Sequence, residues 1–161
     1  MLELSRPDLC VIRCCARQVA IDQLTCDEMF GRIAPDELLL LAPSRESGRV
    51  LGVLSAELER LDPTGIVIDH SDAFVLTMLS GQGREALARL TAIRIPAAGF
   101  AQGPVAGVPC KVFATAGELL LLAPSTYAHH VRGRILSACA DLDVRERAFS
   151  DTASLVQATT A

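Results

Sequence analysis

The amino-acid sequence predicts an α+β fold made of two pseudo-repeated lobes, from three observations. The octapeptide ELLLLAPS occurs at 37–44 and again at 118–125, a separation of 81 residues. Each copy is followed by an apolar stripe of helical period. Between the stripes lie strand-sized apolar stretches bounded by turn residues. Two copies of a strand–turn–helix unit make a pseudo-symmetric body rather than a solenoid, which needs at least three.

Taken in order, Leu9 to Cys14 reads as an edge strand at the N-terminus. In the first repeat, Pro43 can end the strand because it lacks an N–H, and Ser44 can cap the helix that follows; Pro124 and Ser125 repeat both roles. The first helix aligns Val50, Leu51, Leu54, Leu58 and Leu61 on one face, with Arg49, Glu57, Glu59 and Arg60 elsewhere. The turn Asp62-Pro63-Thr64-Gly65 leads into Ile66-Val67-Ile68, short enough for a buried strand.

Phe74 to Leu79 alternates as a strand covered on both faces. Ser80 to Gly83 breaks it, and a helix from Glu85 to Leu90 places Ala86, Leu87, Leu90 and Ile93 together. Six Pro and Gly residues punctuate 96–109, leaving room for short extended pieces before a strand at Cys110 to Ala114. Ala116 and Gly117 turn the chain into the second repeat, whose helix aligns Ala128, Val131, Ile135 and Cys139. Beyond Arg147 the periodicity is lost, and 150–161 reads as a flexible tail behind a single domain at 1–149.

Composition narrows the function. Of 161 residues, 50% are hydrophobic and 21% charged, with net charge −4, which excludes wholesale disorder and argues against a nucleic-acid partner held by phosphate contacts. Trp is absent and there is one Tyr, so a base-stacking platform has little to be built from. The longest apolar run, Leu38 to Ala42, is far short of the roughly 18 residues of a membrane helix, and Glu3 and Arg6 stand where a secretory signal needs an apolar core. A cytoplasmic protein with reduced cysteines is the expectation.

The chemistry-bearing residues form no self-evident active site. Cys10, Cys14, Cys15 and Cys26 lack the paired C-x-x-C spacing of a metal site and have no histidine nearby. His129 and His130 diverge by about 100° on a helix. Asp69, His70 and Ser71 bring three catalytic residue types together, but neighbours at a strand end point apart and triads assemble from separated positions. Ser80-Gly81-Gln82-Gly83-Arg84 could hold an anion at a helix start, yet it lacks the third glycine of a dinucleotide fingerprint and the Lys-Ser/Thr of a P-loop. No catalytic, cofactor-binding or metal residue is assigned.

Three blocks, RIAPDELLLLAPS (32–44), VIDHSDAFVLTMLSGQGREALARL (67–90) and FAQGPVAGVPCKVFATAGELLLLAPSTYAHHVRGRIL (100–136), resemble in order the gamma subunit of heterotetrameric sarcosine oxidase, over about two thirds of the chain. The first resembles a Gly-Pro-Asp-Glu-Trp-Leu turn and strand, with Ala34 for the glycine and Leu38 for the tryptophan. The middle resembles an Asp-x-Ser element, carried by Asp69 and Ser71, with a strand and a glycine turn at Gly81. The last matches a Ser-x-x-Ala helix start at Ser125 and Ala128. The middle block is also similar to the folate-binding domain of the glycine-cleavage T-protein. Enzymes of that group place a Gly-x-x-x-Asp-Asp-type element in the following hairpin, and Val108 to Gly117 contains neither Asp nor Glu.

The resemblance implies lobes of mainly antiparallel sheet covered by helices, in a folate-binding T-protein-like fold. It further implies an accessory subunit of a flavin-dependent sarcosine oxidase or related N-methyl amino-acid oxidase. Such a subunit binds no cofactor itself. Larger alpha-like and beta-like partners carry FAD, FMN, NAD, zinc and tetrahydrofolate, and the isolated chain is prone to self-association. A mean hydropathy of +0.35 agrees with surface buried against a partner. The rival reading is a stand-alone folate-binding one-carbon protein, aminomethyltransferase-like.

Overall fold

The computed structural model describes residues 1–150. In chain order the elements are β1 (Leu2–Pro7), β2 (Leu9–Cys15), α1 (Gln18–Ile21), β3 (Met29–Ala34), β4 (Glu37–Pro43), α2 (Ser47–Leu61), β5 (Ile66–Asp69), β6 (Phe74–Gly81), α3 (Gly83–Ala88), β7 (Gly99–Val105), β8 (Val108–Ala114), β9 (Glu118–Pro124), α4 (Ala128–Ala138) and β10 (Val144–Ser150). The described residues form two compact units, one built from Met1–Pro7 with residues 72–150, the other from Asp8–Ser71. One repeat copy lies in each. The fold is α+β with two sheets, and all pairings are antiparallel except β1 with β10.

The unit of residues 8–71 is a four-stranded sheet in the order β3-β4-β2-β5. Strand alternation turns Cys10, Ile12 and Cys14 of β2 and Leu38, Leu40 and Ala42 of β4 to the face that packs on Val50 and Leu54 of α2. The other unit is a six-stranded sheet, β10-β1-β6-β9-β8-β7. Leu2, Leu4, Leu79, Leu119 and Leu121 there share a core with Ala86 and Leu87 of α3 and Val131 and Ile135 of α4. Removing each such side chain from water is worth about 1.5–3 kcal/mol, so the two apolar octapeptides anchor both lobes.

The repeat is realised as strand, single 3-10 turn and helix in both copies. Pro43 and Pro124 end their strands with matching backbone angles, φ −55 and −52. Ser44 and Ser125 do not cap: neither makes a side-chain capping bond, and each opens the 3-10 turn by accepting, at its carbonyl, the amide of Ser47 or Ala128. The serines sit two residues ahead of the cap positions, Glu46 and Tyr127, too early to reach the free amides of the helix itself.

Several local expectations are corrected by tertiary context. Leu9–Cys15 lies inside its sheet, between β4 and β5. Ile66–Asp69 is the exposed edge instead, with Ile66 58% and Ile68 40% accessible. The helix after Gly83 stops at Ala88, so Leu90 and Ile93 pack from the following loop. The Pro- and Gly-rich stretch before Cys110 forms a full hairpin, β7 against β8, around Ala106 and Gly107, both with positive φ (52° and 80°). Such a two-residue turn suits the twist of paired strands, and glycines elsewhere in β7 do not stop pairing once β8 supplies a partner. Two strands had no sequence signal: β1, which sits between β6 and β10, and β10, which runs past Arg147. The tail expected beyond it lies outside the described residues.

Candidate functional site

The Asp69-His70-Ser71 element is the most chemistry-like triplet, and its groups hold the chain. The Asp69 carboxylate accepts the Ser71 amide at 2.9 Å, an Asx-type turn that ends β5. Ser71 Oγ accepts the Val11 amide at 2.9 Å, and the His70 amide donates to the Val11 carbonyl at 2.7 Å. The element that resembles the oxidase-subunit motif is therefore a clasp between β5 and β2.

A buried carboxylate was not legible in the sequence beyond its place in a turn. Asp62, 1% exposed, follows α2. Its Oδ2 accepts the Arg17 amide at 2.8 Å and lies 3.2 Å from Arg17 Nε, while its Oδ1 accepts the Thr64 hydroxyl at 2.7 Å and the Thr64 amide at 3.1 Å. These donors, the Arg17 amide first, hold the Asp62 carboxyl well below the usual carboxylate range. The Asp-x-Thr spacing signals the local turn; the contact with Arg17, 45 residues away, has no sequence signature.

All six cysteines are free. Burial pushes every thiol up, Cys14 to about 12 and Cys26 to about 11, the latter aided by Glu28 and Asp27. Thiols held protonated in this way are poor nucleophiles and poor metal ligands. No group of three or more His, Cys, Asp or Glu among the described residues is placed to hold a metal ion. Thiol titration is expected to count six groups under denaturing conditions without reductant, with Cys10, Cys14, Cys110 and Cys139 silent in the native protein. Rapid native labelling of those four would contradict their burial.

The Ser80–Arg84 run is a strand-to-helix turn. Gly81 has φ +67°, and a Cβ there would lie 2.5 Å from the Met1 carbonyl oxygen. Gln82 Oε1 accepts the N-terminal amino group at 2.5 Å, so the turn fastens the chain start. His129 and His130 are both exposed on α4.

Two clefts remain. One, of about 170 Å³, is lined by Leu4, Val75 and Ile135 together with Arg132 and Glu146, which Arg132 binds through three contacts of 3.0, 2.8 and 2.6 Å. The other, of about 280 Å³, lies between Thr25–Glu28 and the first half of α2. In neither do an acid and a base face each other unpaired beside a nucleophile. No helix among the described residues is long and apolar enough to cross a membrane.

No protein-family model matches the sequence, and no curated protein matches it. Solved structures do match the fold. A chain of heterotetrameric sarcosine oxidase from Corynebacterium sp. U-96, in complex with pyrrole 2-carboxylate, superimposes with TM-score 0.67 and 15% identity, covering 91% of this chain and 88% of that one. The glycine cleavage system aminomethyltransferase T from Bartonella henselae follows with TM-score 0.59 and 12% identity, over 90% of this chain and 47% of that one. The chain thus shares the fold of both, spanning about half the length of the aminomethyltransferase.

Proposed function

We propose that this chain is a non-catalytic accessory subunit of a multi-subunit, flavin-dependent oxidase acting on sarcosine or a related N-methyl amino acid in the cytoplasm. The observation that carries the reading is the mutual coverage with a chain of heterotetrameric sarcosine oxidase, in which nearly the whole of each matches the other. The positions that could do chemistry support it, because Asp62, Asp69 and Ser71 are committed to holding turns and strands and the thiols are pushed up by burial. In this reading FAD, FMN, NAD, zinc and tetrahydrofolate belong to the alpha-like and beta-like partners. The likeness to an aminomethyltransferase favours the folate-binding alternative. Against it, the β8 hairpin offers no carboxylate to hydrogen-bond a pterin.

Affinity purification of the tagged chain from its native source, with flavin absorbance and mass spectrometry of the eluate, tests the proposal. A flavoprotein oxidase subunit is expected to co-elute in stoichiometric amount. Calorimetric titration of the isolated chain with tetrahydrofolate is expected to show no micromolar binding. Tight folate binding without an oxidase partner would overturn the reading in favour of the alternative.

A further inference from the structure

We infer that β1 is a guest strand: the sheet around it is built to close without it, β10 pairing directly on β6, so that this unit has two alternative strand orders. The inference rests on strand topology alone and stands or falls apart from the accessory-subunit reading.

The two units repeat one pattern. A strand and a short helix, β2 with α1 or β6 with α3, precede each strand–turn–helix repeat. β2 pairs with β4 from Pro43 to Glu37, and β6 pairs with β9 from Pro124 to Glu118, so β2 and β6 are equivalent. The offset of 81 residues between the repeats carries β5 onto 147–150 of β10. In one unit β2 pairs directly with β5. In the other, β1 stands between β6 and β10.

The strand directions fit an insertion. β1 is antiparallel to β6 and parallel to β10, so β10 runs antiparallel to β6, as β5 does to β2. Direct closure therefore needs a shift of one strand spacing, about 4.8 Å, and no reversal of the chain. It exchanges a parallel ladder, bulged between Ser5 and Pro7, for an antiparallel one, the slightly stronger kind. The approach to β10 is also adapted. The same offset puts the end of α2 at 142, whereas α4 stops at Ala138, so chain that is helical in one copy is free to cross the inserted strand in the other.

Particular residues hold β1 in place. Gly81 lies opposite Leu2, where a Cβ would collide with the Met1 carbonyl; the equivalent position after β2 is Ala16. Leu2 and Leu4 enter the core, and Arg147 Nε lies 3.2 Å from Glu3 Oε1. These contacts make the inserted order the ground state. The β1–β6 ladder nevertheless covers only Leu2 to Ser5. The cleft lined by Leu4, Val75, Ile135 and Glu146 draws on β1, β6, α4 and β10 together, so it exists only in that order. Withdrawal of one strand thus switches the unit between two packings and removes the cleft.

The other copy supplies the register of the closed order. Ile66 opposite Cys15 and Asp69 opposite Ile12 translate to Arg147 opposite Ser80 and Ser150 opposite Thr77. In the inserted order, residues 80 and 147 are two strand spacings apart, about 10 Å or more, beyond the roughly 7 Å between Cα atoms that a disulfide spans.

Disulfide trapping in the full chain tests this. Ser80→Cys with Arg147→Cys is expected to crosslink slowly under diamide, and about tenfold or more faster when Leu4→Ala or Gly81→Ala loosens β1, as mapped by peptide mass spectrometry. Ser80→Cys with Glu3→Cys, opposite each other in the inserted order, should crosslink readily. Cys110 and Cys139, buried in the same unit, should stay unlabelled throughout, which separates a change of strand order from unfolding. If Leu4→Ala unfolds the chain, Gly81→Ala and the parent pair decide. Three results overturn the guest strand: no 80–147 crosslink while the 3–80 pair closes, an unchanged rate in the folded loosened variants, or crosslinking only together with labelling of Cys110 and Cys139.

Discussion

Leu40→Ala and Leu121→Ala are each expected to destabilise the protein by about 2–5 kcal/mol, the range for a large-to-small change in a closed core. The two residues occupy the same position of the repeated octapeptide, and both are essentially inaccessible, at 0% and 1%. Leu40 packs with Ile12, Val50 and Leu54, and Leu121 with Leu79, Val131 and Ile135, so each truncation opens a void between a sheet and its helix. Residue-level hydrogen exchange separates the two effects: Leu40→Ala should lower protection in β2 and β4, and Leu121→Ala in β6 and β9. A loss under about 1 kcal/mol in either would mean that the octapeptide does not anchor that lobe.

Replacing Asp62 is expected to have the largest effect among the polar residues. Asp62→Ala strips the acceptor from the Arg17 amide, the Thr64 amide and the Thr64 hydroxyl at once, inside a site that excludes water. The melting temperature should fall by several degrees, and Asp62→Asn, which keeps one acceptor oxygen, should fall less. The pH dependence has a definite sign. Because the folded carboxyl is depressed below its unfolded value, its stabilising contribution is complete above about pH 4 and disappears as pH falls through the folded value. Stability measured from pH 6 downward should therefore drop for the wild type below about pH 4, and that component should be absent in Asp62→Asn. Parallel curves for the two proteins would show that the carboxylate is not coupled to folding.

What could be read from the sequence is what short-range physics determines. Four consecutive leucines between a turn and a proline have one economical use, a strand buried on both faces, and repetition of the whole octapeptide fixed the equivalence of β4 and β9 before any contact was known. The helical stripes were equally plain, since Val50, Leu54 and Leu58 recur at the spacing that closes one face.

Only tertiary structure decided the neighbours. Ile66-Val67-Ile68 and Leu9–Cys15 look alike as apolar runs, yet one is an exposed edge and the other an interior strand, because pairing order depends on segments dozens of residues away. The same reason hid β1, whose Glu3 and Arg6 resemble a polar chain start until β6 and β10 flank it. Asp62 reads as a turn residue, and its role as the buried acceptor for Arg17 exists only once 45 residues of intervening chain have folded. The sequence by itself determined the repeated strand–turn–helix units, since hydrophobic period and proline geometry act over a few residues. The tertiary structure decided strand order, the exposure of β5 and the assignment of Asp62, Asp69 and Ser71 to holding the fold, since these depend on which distant backbone groups arrive to be satisfied.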